Sequence, residues 1–106
     1  RKNSVGIGNT ESNKVLDFRL SQNYPNPFNP ATTIEYSIPS GAETLQATSL
    51  RVYDILGREV AVLVNQKQPA GNYEVKFDAS GLGSGMYIYR IESGSFSDSK
   101  RMMLVK

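Results

Sequence analysis

Apolar residues alternate with polar ones along several short stretches of the chain. The clearest are residues 32–38 and 73–78, where every second side chain is apolar and the side chains between are mostly polar or charged. Successive side chains of a β-strand point to opposite faces, so this alternation predicts strands with one buried face. No stretch shows sustained helical periodicity. The pattern therefore predicts an all-β fold.

Turn residues divide the chain after residue 17 into about seven such stretches. Short strands at this spacing are typical of an immunoglobulin-like antiparallel β-sandwich of about seven strands. Stretch 59–64 is apolar on both faces, which predicts a central strand or one that crosses between sheets. Stretch 42–48 is polar and predicts a loop or a poor edge strand. The predicted strands cover residues 18–22, 32–38, 50–55, 59–64, 73–78, 86–92 and 96–105.

Residues 1–17 are rich in Asn, Ser, Gly, Thr, Lys and Glu, a composition that predicts a flexible linker before a domain of residues 18–106. The chain begins Arg1-Lys2 without a start methionine, so we expect it to be cut from a longer protein whose missing part would carry any signal peptide. The longest apolar run, residues 60–64, is too short to span a membrane.

Composition narrows the chemistry that the domain can perform. The chain has no Cys and no His, which removes disulfides, thiolate chemistry and a His-based catalytic triad. Its net charge of +2, from 12 basic and 10 acidic residues, indicates a mixed surface rather than the dense basic face of a nucleic-acid binder. We therefore expect no catalytic residues, no cofactor or metal, no nucleic-acid partner and no transmembrane segment.

Two turn-forming stretches interrupt the strands. Pro25, Pro27 and Pro30 lie within six positions and lack backbone N–H groups, so they exclude a helix or central strand and predict a stiff connector. Leu56-Gly57-Arg58 predicts a tight hairpin, because Gly57 can adopt a positive φ without the penalty of a Cβ. Both features are structural in character.

The glycine-rich connector 80–85 and the strand-end carboxylates are candidate binding groups. A phosphate loop would lead into a helix and usually carry a Lys, whereas a strand follows here, so a sandwich corner plugged by Leu82 is expected. Asp54 and Asp78 are predicted to cap turns. They could instead bind Ca²⁺ with loop carbonyls, although no dense Asp/Asn/Gly motif supports such a site.

Seven aromatic residues raise the alternative of a sugar-binding platform. Most of them occupy alternating strand positions, which predicts a core location instead. A carbohydrate-binding or spacer module of a multidomain surface enzyme nevertheless remains the alternative function. The seven residues are Tyr24, Phe28, Tyr36, Tyr53, Tyr73, Tyr87 and Tyr89.

The last strand ends in a segment, Lys100 to Lys106, with lysines at both ends. Its alternation predicts an edge strand that closes the sandwich, with the lysines discouraging edge-to-edge aggregation. Only a family resemblance would make this segment an address for a secretion machinery as well, and the two roles are compatible.

Four motifs together carry a resemblance to a known family. Y-P-N-P-F-N-P at residues 24–30, D-I-L-G-R-E-V at 54–60, F-D-A-S-G-L-G-S-G-M-Y at 77–87 and K-R-M-M-L-V-K at 100–106 occur in that order. Over about residues 18–106 the chain resembles the C-terminal sorting domain (type A) of type IX secretion substrates. This domain is related in fold to the immunoglobulin-like domain of the flagellar hook-capping protein.

The resemblance implies a non-catalytic signal domain that directs an exported cargo through the outer-membrane secretion machinery of Bacteroidota and related bacteria. The cargo would lie on the N-terminal side, pass through the periplasm, and reach the cell surface or the medium. A surface sortase would cut in the linker before Phe18, and the cargo would be released or joined to a lipopolysaccharide. The positions that match the family's motifs are Pro25, Asn26, Pro27, Gly81, Gly85, Tyr87, Lys100 and Lys106.

Overall fold

The computed structural model describes residues 17–40 and 45–106, and these residues form seven β-strands without a helix. None of this part of the chain could cross a membrane as a helix. Apart from Asp17, the predicted linker 1–17 lies outside the described residues. The strands are β1 (Arg19–Leu20), β2 (Ala31–Ile38), β3 (Gln46–Asp54), β4 (Glu59–Gln68), β5 (Gly71–Asp78), β6 (Gly85–Ser93) and β7 (Phe96–Leu104).

The strands form two antiparallel sheets. One has the order β1-β2-β5 and the other the order β4-β3-β6-β7. The apolar face of each sheet packs on the other, so the predicted all-β sandwich of seven strands is confirmed. The strand β7 lies at an edge of the four-stranded sheet, as its sequence pattern predicted.

The core contains the alternating apolar residues of both sheets. Tyr36 of β2 and Tyr89 of β6 are among its largest fully buried side chains, and burying a large apolar side chain stabilises a fold by about 1.5–3 kcal/mol. Their hydroxyl groups donate hydrogen bonds, from Tyr36 to Gln68 Oε1 and from Tyr89 to the Ser21 carbonyl, each at 2.6 Å. The other residues at 1% exposure or less in the described apolar core are Ile34, Ile38, Leu50, Val52, Ala79, Ile91, Met102 and Leu104.

The prediction for stretch 59–64 is wrong, because β4 is neither central nor shared between sheets. It forms an edge, pairing only with β3, and the register shifts between Leu50 and Arg51 and between Val52 and Tyr53. Each shift changes which side chains face inward. The strand is therefore apolar on both faces although only one face packs on the core, and Val62 remains 47% exposed.

The prediction of a loop or poor edge strand at 42–48 is also wrong for residues 46–48, whereas Leu45 lies outside the strands as predicted. Residues 46–48 belong to β3, which pairs with β4 on one side and β6 on the other. The polar Thr48 faces inward, where its hydroxyl lies 2.9 Å from Ser93 Oγ and bonds the Gln46 carbonyl at 3.0 Å. Buried polar groups cost little when they are paired in this way, so the polar sequence is compatible with an inner strand.

Candidate functional site

One end of the sandwich gathers the four segments that resemble the sorting family. The strand β6 begins there at Gly85 opposite Leu104, and β2 begins there at Ala31 opposite Asp78. The hairpin after β3 lies at the same end, because Asp54 pairs with Tyr87. We refer to this end, formed by residues 24–30, 54–58, 79–84 and 102–106, as the motif end.

The chain enters the sandwich at the opposite end. Phe18 precedes β1 and stacks on Phe96, the first residue of β7, with ring centroids 4.8 Å apart. At about 3.3 Å per residue, the length of β7, which has nine residues, separates Phe18 from the motif end by about 26 Å. The N-terminal side of the domain and the motif end therefore lie far apart.

The proline-rich connector packs against the outer edge of β7. The Phe28 N–H donates to the Met103 carbonyl at 2.9 Å, and the Val105 N–H donates to the Phe28 carbonyl at 3.0 Å. The Phe28 ring is 2% exposed and lies 6.2 Å from the Phe77 ring, measured between centroids. The peptide bonds before Pro25, Pro27 and Pro30 are cis.

Two amide side chains extend this contact. Asn26 Oδ1 accepts a hydrogen bond from the Met103 N–H at 3.0 Å, and Gln22 Nε2 donates to the Arg101 carbonyl at 2.7 Å. Sequence reasoning placed Asn26 and its flanking prolines in a motif but found no contact for them. Gln22 carries no sequence signal, since its partner is 79 residues away.

A buried polar network fixes the start of the connector. Asn23 is 2% exposed, and its Nδ2 donates to the Pro25 carbonyl and to Thr32 Oγ1, each at 3.0 Å. The Thr32 hydroxyl donates to the same carbonyl at 2.8 Å, and Gln22 Nε2 donates to Asn23 Oδ1 at 2.8 Å. These bonds hold Pro25 and the backbone around it against β2.

The glycine-rich connector, residues 80–85, lies beside the C-terminal end of β7. Asp78 Oδ1 accepts from the Ser80 N–H at 2.9 Å, which confirms that Asp78 caps a turn. Leu82 packs against the core as a half-buried plug, as predicted. The Tyr87 hydroxyl donates to the Gly83 carbonyl at 2.7 Å, and Lys106 Nζ donates to the Ser80 carbonyl at 2.6 Å. The connector thus contacts the 100–106 segment directly.

The two motif glycines have different surroundings. Gly81 lies in the turn of the connector, where a Cβ would meet no atom within 4 Å. Gly85 begins β6 with φ of 151° and pairs with Leu104. Gly85 therefore lies beside the 100–106 segment, whereas Gly81 is exposed.

The hairpin at 54–58 presents two large apolar side chains to solvent. Asp54 Oδ1 accepts from the N–H groups of Leu56 and Arg58 at 2.9 and 3.0 Å, which confirms its predicted capping role. These bonds, led by the one from the Arg58 N–H, lower the Asp54 pKa below its usual value. Gly57 has φ of 85°, as its turn position predicted. At the tip, Ile55 and Leu56 are 70% and 74% exposed.

Lys100 stands apart from the other motif residues. It pairs with Tyr89 halfway along β7 and lies on the same face as Met102, half-buried. The three ion pairs found within residues 17–40 and 45–106 do not include it. Lys100 is thus an inward-facing charge on an edge strand, a feature that discourages pairing with another strand.

The other candidate sites have little support in the geometry. Among the described residues, no group of three or more Asp or Glu side chains could hold a metal ion. Of the seven aromatic rings considered for a sugar platform, only Tyr24 is largely exposed, and Phe28, Tyr36, Tyr87 and Tyr89 are buried, confirming the predicted core location. The arrangement defines a β-sandwich module whose four motif segments converge at the motif end.

Comparison with known proteins agrees with this class. A family model described as a secretion system C-terminal sorting domain matches residues 22–106. No curated protein and no solved structure matches the chain. The chain belongs to the secretion system C-terminal sorting domain family, whose members are non-catalytic signal domains of type IX secretion. It is therefore part of an exported protein, is attached to a cargo and interacts with the secretion machinery.

Sequence reasoning missed the exposed pair Ile55 and Leu56 as a candidate contact. The sequence analysis placed Ile55 at the end of the predicted strand 50–55, whereas β3 ends at Asp54 and leaves both residues in the turn. A signal was present in Leu56, a large apolar residue directly before the turn glycine Gly57. Their exposure became clear only once the hairpin was seen to project from the sandwich.

Proposed function

We propose that the motif end is the surface that the type IX machinery recognises, and we call it the reading surface. The cargo would be joined at the opposite end. One observation carries the proposal: segments separated by up to about 80 residues converge on the end farthest from Phe18. This separation leaves the motif end accessible while a cargo occupies the other end. The exported protein would pass through the periplasm and reach the cell surface or the medium.

We further propose that residues 1–17 form a linker in which a surface sortase cuts. The polar and glycine-containing composition of this stretch favours an extended substrate that a protease could hold. Its position before Phe18 would separate the cargo from the compact sandwich.

The exposed hairpin tip supports a protein partner at the motif end. Burying Ile55 and Leu56 would remove large apolar side chains from water, and each such side chain can contribute about 1.5–3 kcal/mol when fully buried. Apolar side chains of this kind, buried at the centre of an interface, can supply much of a binding energy. Neither side chain contributes to the core, so binding does not compete with folding.

The test is export of a fluorescent reporter fused to residues 1–106 behind an N-terminal signal, in a host with type IX machinery. The informative variant is Leu56→Ser, and its matched control is Leu45→Ser, since Leu45 is also exposed, at 48%, but lies at the opposite end. We expect release to fall about tenfold or more for Leu56→Ser only. Equal release of both variants would refute the proposed reading surface.

The mass of the released reporter tests the proposed cut. We expect it to end within residues 1–17, and a released reporter that retains the whole sandwich would refute sortase removal. Urea unfolding of both variants serves as the folding control, because substitutions at exposed positions should change stability by less than about 0.5 kcal/mol.

A further inference from the structure

The outer edge of β7 carries backbone groups that a neighbouring strand would ordinarily bond. The strand pairs with β6 on one side only, so N–H and C=O groups of alternate residues point away from the sheet. At the motif end these residues are Arg101, Met103 and Val105. Each has at least one of these groups hydrogen-bonded to the proline-rich connector or to Gln22 just before it.

At Phe28 the proline-rich connector pairs with β7 as a parallel strand would. Phe28 forms a parallel bridge with Leu104 through its own N–H and C=O. In a continuing parallel ladder, the backbone at residue 26 would accept from the Met103 N–H and donate to the Arg101 carbonyl. Here Asn26 Oδ1 accepts the first bond and Gln22 Nε2 donates the second, at 3.0 and 2.7 Å.

The backbone of the connector does not make these two bonds itself. Tyr24 is already paired with Thr33 of β2 through two hydrogen bonds of 2.9 Å, so the chain crosses from one sheet to the other between residues 24 and 28. Between Tyr24 and Phe28 only Asn26 has a backbone N–H, because Pro25 and Pro27 have none, and the backbone N–H of Asn26 is not bonded to the Arg101 carbonyl. Two side-chain amides therefore supply the missing acceptor and the missing donor.

We propose that Asn26 and Gln22 are positioning residues that replace a neighbouring strand and hold segment 100–106 in the form that the secretion machinery reads. The inference rests on the proposed reading surface and assigns a role to the Pro-Asn-Pro motif: it orders the address and does not itself touch the machinery. Asn29 offers the contrast, since it also precedes a proline and is exposed like Asn26, but it makes no side-chain hydrogen bond among those of the described residues.

The two amides have opposite requirements, which makes the test specific. Asn26 must accept a hydrogen bond, so Asn26→Asp keeps its function and Asn26→Ala loses it. Gln22 must donate, so Gln22→Glu loses its function, because a carboxylate would face both the Arg101 carbonyl and Asn23 Oδ1. Asn29→Ala is the matched control. None of these changes alters the apolar core.

The first readout is hydrogen exchange of the Met103 amide in the purified domain, residues 1–106, by NMR. We expect exchange about tenfold faster in Asn26→Ala than in the unchanged protein, and unchanged exchange in Asn26→Asp and Asn29→Ala. The second readout is reporter export, which we expect to fall in Asn26→Ala and Gln22→Glu and to persist in the other two variants.

Two results would overturn the inference and leave the proposed reading surface intact. Normal export of Asn26→Ala despite fast exchange would mean that ordering the segment is unnecessary. Lost export of Asn26→Ala with a protected Met103 amide would mean that Asn26 contacts the machinery directly. A failure of the reading surface itself would appear instead in the Leu56 and Leu45 variants.

Discussion

The buried hydroxyl of Tyr89 should make the free energy of unfolding of the domain fall at alkaline pH. Its ring lies in the middle of β6 with no exposed surface, and its hydroxyl donates to the Ser21 carbonyl at 2.6 Å. Burial is the main reason why its pKa is raised from 10.0 to about 12, and the negative charge of Asp98 adds to the rise. A backbone hydrogen bond from Asn23 opposes these effects. The folded protein therefore holds the phenolic proton more tightly than the unfolded chain.

The sign and size of the effect follow from linkage. Between pH 10 and 12 the unfolded chain loses the Tyr89 proton and the folded protein keeps it, so the free energy of unfolding falls as the pH rises. The contribution is fully present below pH 10, and about 2 kcal/mol of it is lost by pH 12. A domain with a typical stability of about 5–15 kcal/mol would show this clearly.

The assay is urea unfolding of the unchanged protein and of Tyr89→Phe at a series of pH values. At pH 8 the variant should be less stable by about 1 kcal/mol, because it lacks the hydrogen bond to Ser21. It has no phenol to titrate, so the two stability curves should cross near about pH 11. Burial also raises the pKa of Tyr36, but that effect is common to both proteins. Parallel curves would refute the reasoning.

Three further changes test the motif end. Phe28→Ala should cost about 3–5 kcal/mol in urea unfolding, because the ring is buried between β7 and Phe77, and a cost below about 1 kcal/mol would contradict this packing. Acidification should loosen the hairpin, because a lowered Asp54 pKa gives stability that is present above 3.8 and lost as the pH falls; amide exchange at Arg58 would report it. Gly57→Ala should cost about 1–2 kcal/mol at its φ of 85°, with Gly81→Ala as a neutral control.

Local patterns in the sequence predicted most of the fold. The alternation in β2 identified Ile34, Tyr36 and Ile38 as one face, and all three are buried. The turn at Gly57 follows from its missing Cβ, and it adopts the positive φ that was expected. Such features depend on neighbouring residues, so a single sequence contains enough information to find them.

Long-range features could not be predicted in the same way. The apolar pattern of 59–64 suggested a central strand, but the register shifts that produce an edge strand with mixed faces depend on how β3 pairs with it. The contact of Asn26 with Met103 joins residues 77 positions apart. The presence of an Asn at one position does not predict its partner at the other, because the contact forms only when the two sheets pack together.

The resemblance points to four motif segments, and their geometry divides the residues of the motif end into two groups. Asn26, Tyr87 and Lys106 make hydrogen bonds within the fold. Replacing them would lower export through loss of order, whether or not they touch the machinery. Ile55 and Leu56 take no part in the core, so an effect on export there reports contact. The reading surface is therefore defined by residues whose replacement reduces export and leaves the free energy of unfolding unchanged.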